Sequence, residues 1–316
     1  MKKIIFILGL VVSASAFAQQ DAMFNQYIFN ELIINPAYAG TKGMINANAI
    51  YSSQWAGIEG SPKTQSISVE GPVNDKVGLG IHIINDHIGA QSQQGLFGSY
   101  SYKIQVNNKY KLSLGLALGL SYLTLDGTKL TTDIQDDPAI PKTLKSKLRL
   151  DSKFGSFFYS ERFYAGFSIN DLFANVKKSN DLFVATQARH TYITTGYVFD
   201  INPKLKLKPS FLFKTDFKAQ SNIDLSSNFL INDKLWLGAS IKFGSGIFKS
   251  KDLDKSLKHR DAIVFMTEYN VTDRFIVGYA YTLSTSVLKK YPGHEFVLEY
   301  YFPEKIETKM RTPRYF

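Results

Sequence analysis

Residues 44 to 302 read almost entirely as segments in which bulky apolar side chains alternate with small or polar ones. That is the period of a strand with one apolar face. Between Leu112 and Leu120 every even position is Leu and every odd position is Ser, Gly or Ala, whereas a helix would spread those leucines around its circumference. Phe275, Val277, Tyr279 and Tyr281 likewise alternate with a row that ends in Gly278, Ala280 and Thr282. Leu235, Leu237, Ala239, Ile241 and Phe243 share one side of their segment, and Trp236, Gly238, Ser240 and Lys242 share the other. Leu205, Leu207, Phe211 and Phe213 oppose Lys206, Lys208, Ser210 and Lys214. Pro209 lies among them without an N–H to donate, which predicts a bulge or local break in the ladder. The pattern places strands at 44–53, 64–70, 77–85, 94–103, 111–123, 148–159, 162–170, 190–199, 205–215, 222–230, 234–243, 261–269, 274–283 and 293–302.

That is about fourteen strands, an even number. Connections after the even-numbered strands are short and turn-like, as at Asn107-Asn108 and Asn232-Asp233, while several others are long, around Thr124 to Lys147, Asp171 to Arg189 and Gly244 to Arg260. Long loops on one side only predict an all-β, antiparallel transmembrane barrel of the outer-membrane type, with both termini periplasmic. A soluble sandwich would show more charge on its water-facing rows than Ser113, Gly115, Ala117, Gly119 and Ser121 do. Aromatic residues at strand ends fit girdles at the two membrane interfaces: Tyr100, Tyr102, Tyr122, Phe157, Phe158, Tyr159, Tyr300, Tyr301 and Phe302.

The rest of the composition narrows the picture. The interior of the chain has no apolar run of the ~18 residues a membrane helix needs. With no cysteine, disulfides, thiolate metal sites and cysteine nucleophiles are excluded. Lys2 and Lys3, the apolar stretch from Ile4 to Val12, and Ala16-Phe17-Ala18 read in order as a cleaved secretory signal over residues 1–18. Residues 19–43 form a leader, as a lumen plug or a periplasmic contact; residues 44–302 form the barrel; residues 303–316 form a basic periplasmic tail.

Candidate chemistry is sparse. Of the five histidines, His87 stands in Asn85-Asp86-His87, expected in an external loop, where a general base is one reading and an Asn/Asp turn the stronger one. Asp136-Asp137, followed by Pro138, reads as a solvated turn. No histidine pair has metal-ligand spacing, so no catalytic residue, cofactor or metal site is assigned. Gly115 and Gly119 stand inside an uninterrupted strand, not in a phosphate-cradling loop. Lys249, Lys251, Lys255, Lys258, His259 and Arg260 form a basic external stretch, interleaved with Asp252 and Asp254, that suits a solvated loop or contact with lipopolysaccharide phosphates or an acidic adhesin. The formal charge of +10 fits such acidic contacts. Lys206, Lys208 and Lys214, facing a water-filled lumen, would favour anions.

Phe24-Asn-Gln-Tyr-Ile-Phe-Asn30, followed by Ile34-Asn-Pro-Ala-Tyr-Ala-Gly40, resembles the opening of the PorP/SprF family, outer-membrane proteins of the Bacteroidetes type IX secretion and gliding machinery. Further matches follow in order: Gln54-Trp-Ala-Gly57, Gly60-Ser-Pro62 and Thr64; Gly78-Leu-Gly80 with Asp86 and Gly89; then Pro209-Ser210, Trp236-Leu-Gly238 and His294-Glu295. The chain departs from barrels that stop at a terminal aromatic strand, because Pro303 to Phe316 follows Phe302. The resemblance implies a non-enzymatic outer-membrane component supporting secretion or surface anchoring of an adhesin or other cargo. It implies as partners outer-membrane lipids and lipopolysaccharide, and periplasmic type IX components or a large secreted surface adhesin or both, with no nucleic acid and no small-molecule substrate. The motif positions Asn25, Gln26, Tyr27, Asn35, Pro36, Tyr38, Gly40, Gln54, Trp55, Gly57, Gly60 and Pro62 are its candidate partner or lumen contacts. An anion-preferring or general porin is the alternative.

Overall fold

The structure, a computed structural model, describes residues 24–130, 143–173, 188–217, 220–247, 262–286 and 288–303. Among the described residues the strands are β1 (Asn46–Ser53), β2 (Lys63–Pro72), β3 (Val77–Ile88), β4 (Gln91–Gln105), β5 (Lys111–Asp126), β6 (Leu144–Tyr159), β7 (Phe163–Asn170), β8 (His190–Tyr197), β9 (Phe199–Asn202), β10 (Leu205–Thr215), β11 (Ser221–Ile231), β12 (Leu235–Ser245), β13 (Ala262–Asn270), β14 (Phe275–Ser284) and β15 (Gly293–Tyr301). Each pairs antiparallel with its neighbours, and β15 pairs with β1 from Tyr301 opposite Asn46 to His294 opposite Ser53. That last ladder closes the sheet. β8 and β9 are two pieces of one stave, so the barrel has fourteen, and no sheet edge is left to face lipid where its backbone groups would lack partners.

The stave breaks opposite Pro209. β10 pairs with β9 through Leu207 and with β8 from Ser210 onward. Between them Val198 donates its N–H to Arg162 O at 2.8 Å, across to the next turn. A residue without a donor cannot hold the ladder there, which accounts for the interruption.

Several strands run past the ends the pattern gave. β3 continues past residue 85 to Ile88, so Asp86 and His87 stand in a strand rather than a loop. β5 reaches Asp126 and β6 starts at Leu144, which shortens the connection expected from 124 to 147. Polar residues lengthen strands here because the ladder between neighbours satisfies the backbone whatever the side chain. Asp136-Asp137, the basic stretch 249–260, the signal 1–18 and the tail beyond Pro303 lie outside the described residues.

Side-chain parity sorts the two faces. Leu114, Leu116, Leu118 and Leu120 point outward and are exposed, while Ser113, Ala117 and Ser121 point inward and are buried. Tyr100, Tyr102, Tyr122 and Tyr300 are on the outer face at strand ends. Phe157 and Tyr159 are not part of that girdle: they share the inward parity of Gly155 and are buried in the interior. Tyr301, opposite Asn46, turns inward too and lies beside the Lys42 ammonium.

Candidate functional site

The leader breaks the alternation. From Phe24 to Gly43 every residue except Asn25 is buried, although none belongs to a strand. Three single helical turns, Tyr27–Phe29, Glu31–Ile33 and Pro36–Tyr38, carry the segment through the barrel interior. Asn25 meets Thr282, Lys242 and Glu295, which lie toward the ends of their strands that lead into the long loops. Gly40 lies against Gly71 and Gly78 at the opposite end. The leader therefore descends from the outer third of the lumen to the periplasmic rim, then turns into β1.

The short turns pair only some of the leader's backbone groups internally, as Phe29 N does with Gln26 O and Tyr38 N with Asn35 O, and the other groups, shut inside the barrel, must be paired elsewhere. The wall supplies charged side chains of the matching sign. Both Glu295 carboxylate oxygens accept leader amides, from Asn25 N at 2.9 Å and Gln26 N at 2.8 Å. Glu70 accepts from Gly40 N at 2.5 Å. Lysines donate to carbonyls: Lys208 to Ile28 O at 3.0 Å, Lys153 to Ile33 O at 2.9 Å and Lys103 to Gly40 O at 3.1 Å. Ser168 and Ser101 donate to Ile34 O and Ala39 O at 2.7 and 2.6 Å. Lys42 pairs with Glu299, whose same oxygen accepts from Asn46 at 2.5 Å.

Apolar contacts fill the space between these polar ones. Tyr27, Ile28, Phe29 and Ile34 cluster with Tyr192, Leu212, Leu230, Trp236 and Met266. Tyr38 stands edge-on to Phe157, ring centroids 5.5 Å apart, in a cluster with Leu32, Tyr159 and Tyr164. Each such large side chain contributes roughly 1.5–3 kcal/mol by its burial.

Room for the leader comes from glycines at inward positions. A Cβ on Gly78 would lie 2.1 Å from Ala39 O, one on Gly115 2.2 Å from Ala37 N, and one on Gly155 2.0 Å from Asn35 Oδ1. No side chain fits at those distances. The small row that distinguishes β5 in sequence is thus the surface on which Pro36, Ala37 and Tyr38 pack.

The motif positions fall into two places. Asn25, Gln26, Tyr27, Asn35, Pro36, Tyr38 and Gly40 are in the lumen, with Asn35 Oδ1 capping the third turn through Ala37 N at 3.0 Å and its Nδ2 donating to Ser156 O at 3.1 Å. Gln54, Trp55, Gly57, Gly60 and Pro62 build the outer β1–β2 loop instead. There Gln54 N bonds Pro62 O at 2.9 Å, Ala56 N bonds Pro292 O at 2.8 Å, and Gly89 N bonds Gly60 O at 2.8 Å, tying three external connections together. Trp55, Gly57 and Gly60 all have positive φ. The structure does not bring the two sets into one site.

Lys206, Lys208 and Lys214 do point inward, but not into open water. Lys208 and Lys214 are buried, Lys208 on the leader and Lys214 with its ammonium 5.5 Å from the Tyr192 ring centroid; Lys206 pairs with Asp233 near the rim. A recess remains above the leader, where His82 stacks on Phe97 at 4.8 Å and its Nε2 is 3.4 Å from Lys153 Nζ. Among the described residues no three His, Asp or Glu side chains gather as a metal would require. Of the wall partners only Glu295, in His294-Glu295, lay in a motif noted from sequence; Glu70, Glu299, Lys103 and Lys153 did not, and their one signal is charge at the inward parity of their strands.

Residues 16–300 match the model of a type IX secretion system membrane protein family, PorP/SprF. The chain belongs to the PorP/SprF family. Its place is the outer membrane, in the membrane part of a secretion system, and the match spans leader and barrel together. No curated protein matches it in sequence. Among solved structures, the CymD monoaromatic hydrocarbon channel is similar at a TM-score of 0.50 and 11% identity over 86% of this chain and 92% of that one. The toluene transporter TodX of Pseudomonas putida gives 0.49 and 11% over 85% and 92%, and Omp33 of Acinetobacter baumannii 0.47 and 9% over 82% and 96%. At such identities CymD shares the barrel fold and nothing more is carried over from it.

Proposed function

We propose that this PorP/SprF member is a closed, non-enzymatic docking barrel that supports secretion of a cell-surface protein or holds a secreted adhesin at the cell surface. The observation that carries the reading is the leader. A general porin needs a water-filled path, whereas here the inward lysines bond leader carbonyls and wall glycines touch leader backbone. What remains for function is the pair of ends: an outer surface framed by the Trp55 loop and its neighbours, and a periplasmic rim toward the rest of the machinery.

The test is mild-detergent affinity purification of the tagged protein from its native outer membrane, with mass-spectrometric identification of what comes with it. Recovery of a periplasmic type IX component or one large secreted surface protein supports docking. Recovery of neither, together with steady ion conduction by the purified barrel, replaces docking with the porin reading.

A further inference from the structure

The six short turns at the periplasmic end share a four-residue pattern: an aliphatic or aromatic residue, then Asn, Ser or Thr, then a variable residue, then Lys or Arg. They read V-N-D-K ending at Lys76, V-N-N-K at Lys109, Y-S-E-R at Arg162, I-N-P-K at Lys204, I-N-D-K at Lys234 and V-T-D-R at Arg274. The second position is explained by the turn itself. Asn74 Oδ1 accepts from the backbone N of residues 76 and 77 at 2.9 and 2.8 Å, and Asn107, Ser160 and Thr272 bond in the same way. The fourth position is not explained by the turn, which asks for no cation there.

Its placement is regular. In five of the turns the first residue continues the outward parity of its strand, and Val73, Val106, Ile201 and Val271 are exposed. The cation three residues on stands just past the end of the lipid-facing band, at the height of the headgroups. All six are exposed. Arg162 is paired with Asp200 at 2.5 Å, whereas Lys76, Lys109, Lys204, Lys234 and Arg274 form no ion pair among the described residues. Asp75, Glu161, Asp233 and Asp273 hold third positions; Asp233 pairs with Lys206. Six fourth-position cations against these four acids leave the turns positive.

The geometry points to a cationic collar that binds the phosphate groups of phospholipids in the periplasmic leaflet. Lipid is favoured over a protein partner because there is one cation at every turn, around the whole circumference, at a height set by the last lipid-facing residue. A docked protein would meet one sector. The collar fixes the barrel's depth in the bilayer, with the ammonium and guanidinium groups screened by salt as surface charges are. It rests on the outer-membrane barrel alone and not on the docking reading.

The test uses the full chain in detergent micelles doped with equimolar phosphatidylglycerol and phosphatidylcholine, with retained lipids counted by native mass spectrometry. One variant carries K76Q, K109Q, K204Q, K234Q and R274Q; a second carries K63Q, K289Q and K290Q, exposed lysines at the opposite end. Heat-modifiable gel migration confirms that each barrel is folded. The wild type is expected to retain phosphatidylglycerol over phosphatidylcholine at low salt, each collar cation contributing about fivefold to that preference. The collar variant loses the preference and the outer-end variant keeps it. Equal retention by wild type and collar variant overturns the proposal, and so does an equal loss in the outer-end variant. If the collar variant keeps its lipid but no longer copurifies a periplasmic protein that the wild type brings down, the collar is a protein-docking surface and the lipid assignment is wrong.

Discussion

At Gly115 the distance between a possible Cβ and Ala37 N is 2.2 Å, and both sides of that contact are backbone, so neither yields. Gly115→Val is expected to unseat the leader while the barrel still forms, because the outward face and ladder of β5 are untouched; limited proteolysis of the folded protein then cuts within residues 24–43. Gly98→Val is the control, since nothing lies within 4 Å of its added Cβ and it faces outward; its digestion pattern should match wild type. Glu295 decides a second case. Its two oxygens receive two leader amides, and each buried N–H left unpaired costs about 1–3 kcal/mol. Glu295→Ala should speed hydrogen exchange at Asn25 and Gln26, with Glu295→Gln, which keeps one carboxamide oxygen as acceptor, in between. Unchanged exchange in both would show that the carboxylate does not hold the leader.

The strands were legible in the sequence because their parity is fixed by a physical alternative with no middle: lipid on one side, the interior on the other. Leu112 to Leu120 announced β5, and Pro209 announced the interruption between β8 and β9. Strand ends were less legible, because polar residues such as Asp86 and His87 extend a ladder without any alternation to mark them. The same limit misplaced Phe157 and Tyr159, whose aromatic character suggested a girdle although their parity, shared with Gly155, turns them inward. The leader's path was hidden for a different reason. Its turns are held by wall residues distant in sequence, and only the third has a local cap, Asn35. Removing a helix cap costs about 0.5–2 kcal/mol. Asn35→Ala also loses the bond to Ser156 O, so amide exchange at Ala37 and Tyr38 should rise while exchange in β5 and β6 stays slow.

For the whole molecule, closure has two parts that rest on different physics. The wall closes because a lipid-facing edge would strand backbone groups, and the β1–β15 ladder removes the last edge. The lumen closes because inward glycines, lysines and carboxylates fit one particular irregular segment. The first could be anticipated for any chain with this alternation. The second is specific to Phe24 to Gly43 and is the observation on which the proposed docking role, as against a pore, rests. It is tested most directly by single-channel recording in planar bilayers, comparing the wild type with a chain lacking residues 24–43 and with Gly115→Val. The wild type is predicted to stay closed, and both variants, confirmed as folded by heat-modifiable migration, to open stable ionic currents. A wild-type barrel that conducts as steadily as the leaderless one would contradict the account.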